Sequence, residues 1–117
     1  MLYSNDAGTR TSFTLSESLA DFDYADIGYF GNLGGGDSYM IARVYGPDGK
    51  SVNLHYADYI DGTIQLGCTS LVLSGKTATF RGYWYINFSN GAVSYGPGTQ
   101  ATPNVHVYKV VGYRKLA

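Results

Sequence analysis

The sequence predicts an all-β protein: an antiparallel, jelly-roll-like β-sandwich of about eight strands with little or no helix. Three observations carry that expectation. Apolar residues recur at every second position in segment after segment, whereas no eleven-residue window holds the i, i+3, i+4, i+7 spacing of an amphipathic helix. Turn residues punctuate the chain at strand-length intervals, among them Gly46-Pro47-Asp48-Gly49 and Asn90-Gly91. Composition agrees, because 12 Tyr, 5 Phe and 16 Gly in 117 residues with 15% charged side chains suit half-buried pleated sheets. A chain of this length forms one domain, residues 1–117, and buries roughly 65% of its unfolded surface without needing a disulfide. Cys68 is the lone cysteine, has no intramolecular partner, and reads as a small buried thiol in the apolar run Ile64 to Leu73.

Each element follows from its local pattern. Phe13 and Leu15 begin a short strand, and Ala25, Ile27 and Tyr29 alternate with Asp26, Gly28 and Phe30 in the next. Gly31-Asn32-Leu33-Gly34-Gly35-Gly36-Asp37 is a loop with unrestricted backbone. From Ser38 to Tyr45, Met40, Ala42 and Val44 form a core face, and Tyr39, Ile41, Arg43 and Tyr45 a half-exposed one. Gly46-Pro47-Asp48-Gly49 is expected to join that strand to Ser51–Ala57 as a hairpin, with Val52, Leu54 and Tyr56 opposite in direction to Asn53 and His55. A turn at Tyr59-Ile60-Asp61-Gly62 leads into two long strands, Thr63–Ser74 and Lys76–Phe88, separated by Gly75. Ser89-Asn90-Gly91 is the strongest hairpin signal in the chain. A loop from Pro97 to Asn104 precedes a closing strand, Val105–Lys115, with Val105, Val107 and Val111 on one side.

Several functions are disfavoured. A net charge of −1 without a basic patch gives no footprint for nucleic acid. Residues 1–20 contain Asp6, Arg10 and Glu17 and no continuous apolar stretch, so neither a signal peptide nor membrane insertion is expected there. Gly49-Lys50-Ser51 resembles the end of a phosphate loop, but Val44 stands where its first glycine belongs. His55 and His106 have no partners at zinc-ligand spacing, and Asp21, Asp23 and Asp26 lack the glycine and glutamate of a calcium loop, so no metal or cofactor is expected. No Gly-x-Ser-x-Gly elbow occurs, and Asp58 with Asp61 makes a poor glycosidase pair, so the chain reads as non-enzymatic.

The aromatic residues point elsewhere. Eighteen rings exceed what one small core absorbs, since each buried tyrosine hydroxyl needs a partner. Tyr83, Trp84 and Tyr85 are consecutive in a strand, so Trp84 faces away from its neighbours. An aromatic ladder that stabilises the sheet is one explanation. A ligand platform is another, with rings covering the apolar face of a sugar and polar groups bonding its hydroxyls. Its candidate residues are Asp37 and Tyr39 beside the glycine loop, Asp58 and Tyr59 in the turn, Trp84, and Tyr95, Gln100 and Asn104 around the proline loop. Packing of exposed rings in a homo-oligomer is a third.

The two ends of the chain resemble a known family. Leu2-Tyr3-Ser4-Asn5, Leu15-Ser16 and Phe22-Asp23-Tyr24-Ala25-Asp26-Ile27-Gly28-Tyr29 are similar to the opening of the small C-terminal domains of bacteriophage tail-fibre and minor tail proteins. Arg81-Gly82-Tyr83-Trp84-Tyr85-Ile86-Asn87-Phe88 and Asn104-Val105-His106-Val107-Tyr108-Lys109-Val110-Val111-Gly112-Tyr113 resemble its finish, although Val107 replaces the usual proline and Gly31 to Gly75 has no counterpart. The resemblance implies a virion tail protein, with this chain as the C-terminal module of a longer protein. It further implies a homotrimer that binds a bacterial cell-surface polysaccharide or other receptor. A structural assembly or trimerisation domain is the alternative, and a cell-wall glycan hydrolase is a more distant one.

Overall fold

Two antiparallel sheets of unequal length face one another, and the longer one overhangs the shorter. The computed structural model describes residues 1–31, 38–60, 62–97 and 105–114. The strands are β1 (Tyr3–Thr9), β2 (Phe13–Thr14), β3 (Tyr24–Gly31), β4 (Ser38–Tyr45), β5 (Ser51–Ile60), β6 (Thr63–Ser74), β7 (Thr77–Ser89), β8 (Ala92–Pro97) and β9 (Val105–Tyr113), with one 3-10 turn at Leu19–Asp21. The shorter sheet runs β1-β9-β3-β4; the longer runs β2-β7-β6-β5, with β8 also on β7. β1, β2 and β3 alternate between sheets, as in a jelly roll, whereas β5 to β8 form a local meander. β1 was not expected, because Tyr3-Ser4-Asn5-Asp6-Ala7-Gly8-Thr9 lacks alternation; pairing with β9 makes it a strand.

One turn acts differently from the expectation. Gly46-Pro47-Asp48-Gly49 does not close a hairpin: β4 and β5 lie in different sheets, and the turn carries the chain across the sandwich. Its hydrogen bonds explain why. Gly46 N–H donates to the Asp23 carbonyl at one end, while Gly49 N–H donates to the Leu73 carbonyl and Gly75 N–H to Asp48 Oδ1 at the other. Pro47 is fully buried at this corner. The other strong turn signal holds, with Asn90 (φ 51°) and Gly91 (φ 79°) joining β7 to β8.

The core lies between the sheets. Ala25, Ile27, Tyr29, Val44, Val105, Val107 and Val110 come from the shorter sheet and pack on Leu54, Tyr56, Leu71, Leu73, Ala78, Phe80 and Tyr83 of the longer. Two bulges set which residues face it. In β9, Tyr108 is the extra residue against β3, which puts Tyr108 and Lys109 both outside and brings in Val110 rather than the expected Val111. In β7, Gly82 (φ 70°) is the extra residue against β6. Ala78 and Phe80 point inward before it and Tyr83 and Tyr85 after it, so Trp84, Ile86 and Phe88 face outward.

Tyr56 closes the core where the sheets part. It lies directly across from Gly67 in the same sheet, and Gly31 of the opposite sheet approaches it from the other side. A side chain at either glycine would overlap the ring. The Tyr56 hydroxyl donates to Gln65 Oε1, its oxygen lies 2.6 Å from that of Tyr83, and Gln65 Nε2 donates to Asn87 Oδ1 at 2.8 Å. Tyr29 of the shorter sheet reaches across to donate to the His55 carbonyl on edge strand β5 at 2.9 Å, and burial pushes its phenol pKa up. Eight residues of β3 span about 26 Å, whereas the thirteen of β7 span about 43 Å, so the longer sheet extends past the strands of the shorter one beyond Tyr56. The molecule accordingly measures 54 × 22 × 21 Å.

The two structural glycines of the longer sheet should fail for different reasons. Gly67→Ala drives a methyl into the Tyr56 ring and costs roughly 1–3 kcal/mol as overpacking. Gly82→Ala meets no neighbour within 4 Å and costs about 1–2 kcal/mol through its left-handed backbone alone. Urea unfolding midpoints at unchanged slope measure both; a neutral Gly67→Ala refutes the packing of Tyr56 described above.

Candidate functional site

Two outward faces gather the exposed rings. They differ in chemistry and lie on different sheets.

The first is the outer face of the shorter sheet. Strand pairing sets Tyr113, Tyr24 and Tyr45 side by side across β9, β3 and β4. Tyr24 stacks on Tyr113 with centroids 4.7 Å apart and tilts against Tyr45 at 5.6 Å. Two residues along β3, Asp26 receives both Nε and Nη2 of Arg43, at 2.8 and 2.9 Å, and the guanidinium carbon sits 4.4 Å from the Tyr24 centroid. The paired guanidinium holds the Asp26 carboxyl below its ordinary pKa, against the opposing effect of burial and with help from Lys109; the same hydrogen bond raises that of Arg43. Gly28 comes next and leaves space into which the Tyr108 ring lies: a Cβ there would fall 2.7 Å from Tyr108 Cζ. At the far end Phe30 stacks on His106 at 4.8 Å and is flanked by Tyr39 at 5.3 Å and Tyr108 at 6.3 Å. Tyr39 meets Tyr108 edge-on at 5.2 Å. The face is thus two aromatic rows about 20 Å apart along the strands, separated by an ion pair, Lys109 and the exposed Ile41. Tyr39 and Tyr45 are its most open rings, 59% and 68% exposed.

The second is the outer face of the overhanging part of the longer sheet. Register places Tyr59 against Ile64, Ile64 against Phe88 and Phe88 against Val93. One row along, Ala57, Leu66, Ile86 and Tyr95 line up in the same way. Cys68 and Trp84 pair beside them, and Leu66, Cys68, Trp84, Tyr85, Ile86 and Tyr95 enclose a hollow of about 290 Å³. Burial raises the pKa of the Cys68 thiol, and no charged side chain lines the hollow.

The residues singled out in the sequence divide between these surfaces. Tyr39 belongs to the first face; Tyr59, Trp84 and Tyr95 come together on the second. Asp58 and Tyr59 are not in a turn, because β5 continues to Ile60, and Asp58 points away from the second face while accepting the Tyr59 N–H at 2.9 Å. Asp37, Gln100, Asn104 and Asp61 lie outside the described residues. Sequence reasoning did not single out Tyr24, Arg43, Tyr45, Tyr108, Lys109 and Tyr113. The available signal was the Tyr39, Ile41, Arg43, Tyr45 alternation, but the rings opposite it come from strands separated in the chain. Among the described residues no three His, Cys, Asp or Glu side chains gather to hold a metal ion, and no helix is long and apolar enough to cross a membrane.

No protein-family model, curated protein or solved structure matches this chain.

The Asp26–Arg43 pair gives the first face a defined acid response. Because the Asp26 pKa is lowered in the folded state, its contribution to stability is complete above the ordinary carboxylate range, near pH 4, and is lost as pH falls through the folded value. Urea unfolding of the native chain and of Asp26→Asn across pH should show a gap that is widest near neutrality and closes in acid. A gap independent of pH rules the ion pair out as its source.

Proposed function

We propose that this chain is a non-catalytic attachment module of the kind carried at phage tail tips, and that the outer face of its shorter sheet holds a bacterial surface glycan. The observation that carries this reading is the pairing of the two aromatic rows with polar and charged groups between them. Sugars offer apolar C–H faces and hydroxyl edges. Tyr39 and Tyr45 supply flat exposed rings at the two ends, and Arg43 and Lys109 supply donors between, with Asp26 holding the guanidinium in place. A rigid sheet holds all of them, so little ordering is needed on binding. The terminal motifs that resemble phage tail domains support the same reading. The second face offers a glycan less, since its hydroxyl-bonding groups are the Tyr59 and Tyr95 phenols and the Trp84 indole N–H, set among aliphatic side chains with no charged group in the rows.

Binding of the chain to an array of purified bacterial wall and capsular polysaccharides tests this. Tyr39→Ala and Tyr45→Ala should each weaken binding about 2- to 12-fold, the equivalent of roughly 0.5–1.5 kcal/mol per lost ring contact. Each also gives up cross-strand ring contacts worth roughly 0.2–1 kcal/mol, so binding is compared where unfolding curves show both variants folded. Absence of binding to every glycan, or undiminished binding by the double variant, refutes the proposal.

A further inference from the structure

The longer sheet reverses its amphipathic sense along its length. Within the sandwich its inner face is apolar, with Leu54, Leu71, Leu73, Ala78 and Phe80, and its outer face carries Asn53, Ser70, Thr79 and Arg81. Beyond Tyr56 the assignment inverts. The face continuing the core direction becomes polar, with Thr63 bonded to Ser89 at 3.1 Å and Gln65 to Asn87 at 2.8 Å. The opposite face carries Tyr59, Ile64, Leu66, Trp84, Ile86, Phe88, Val93 and Tyr95, each at least 39% exposed.

An apolar sheet face is stable when another layer covers it. Among the residues outside the described ones, Leu33 and Leu116 are the only large aliphatic or aromatic side chains. We infer that this face is covered by the same face of a second copy of the chain. Four strands of about six residues give a footprint of roughly 20 × 19 Å, close to 400 Å² before side-chain relief is counted. That reaches the ~300–600 Å² of the largest patch on ordinary monomers; two mated footprints give roughly 800 Å², and the relief of eight side chains, each at least 39% exposed, carries the buried surface toward the ~1,200 Å² at which specific interfaces begin. Charge chooses the occupant. The rows carry no Asp, Glu, Lys or Arg, so no complementary charged partner is specified, and a two-fold axis brings like onto like without repulsion. Trp84 and Tyr95 flank the hollow of about 290 Å³, which leaves room for a ring of the partner copy.

Trp84 is the only tryptophan and stands at 57% exposure on the single chain, so it reports on the face directly. Sedimentation equilibrium of the intact chain from nanomolar to near-millimolar concentration should rise from one chain mass to two. Over the same range Trp84 emission should shift to the blue and lose access to acrylamide. Leu66→Lys and Ile86→Lys should each hold the chain at one mass with Trp84 open; far-ultraviolet dichroism establishes that they are folded, and the dilution series of the unaltered chain decides the question without them. Tyr39→Ala/Tyr45→Ala should still pair, which separates this inference from the glycan reading. One chain mass throughout, or protection of Trp84 that appears only when phosphatidylglycerol vesicles are added, overturns it.

Discussion

A sheet whose central strands are twelve and thirteen residues long cannot be covered by one whose central strands are nine and eight, and most of this architecture follows from that mismatch. Where the sheets overlap, apolar side chains face each other and water is excluded. Beyond that, β5 to β8 extend past the described strands of the shorter sheet. Two-sided solvation would favour polar residues on both faces, yet one face keeps Ile64, Leu66, Trp84, Ile86 and Phe88. The conflict between strand length and surface chemistry is what gives the overhang its meaning.

The junction between the two regimes is built from one ring and its hydrogen bonds. Tyr56 occupies the space two glycines leave free, and its hydroxyl ends the apolar core by joining Gln65 and Tyr83. From there the inner face is amide and hydroxyl. The bulge at Gly82, next to Tyr83, performs the matching shift in β7: were Gly82 paired in regular alternation instead, Trp84, Ile86 and Phe88 would follow Phe80 onto the inner face. In β6 no bulge is needed, because the side chains themselves change phase, from Ile64, Leu66 and Cys68 to Leu71 and Leu73. Two strands thus reach the same inversion by different means.

The outward faces make different demands on whatever meets them. On the shorter sheet, rings are interleaved with an ion pair whose members already satisfy one another, so a ligand there gains contacts without stranding a buried charge. On the overhang, the gain is release of water from aliphatic and aromatic surface, which rewards a large dry partner over a hydrated one. That difference is why rings that look interchangeable in composition, such as Tyr39 and Tyr95, are assigned separate roles.

What the chain states locally was legible before any coordinates. Alternation in β3, β4 and β5, the Asn90-Gly91 turn and the opposed directions of Trp84 and Tyr83 all follow from the two-residue period of extended backbone, which is a property of neighbours in sequence. The parts decided by the tertiary structure are those that depend on distant segments. They include the passage of Gly46–Gly49 between sheets, the bulges at Gly82 and Tyr108, the recruitment of Tyr3–Thr9 as a strand, and the side of Trp84 that meets water. A period of two says that successive side chains oppose each other, but one inserted residue reverses every assignment downstream. Only the ladder to the neighbouring strand, set by hydrogen bonds between segments far apart in the chain, records where that insertion falls.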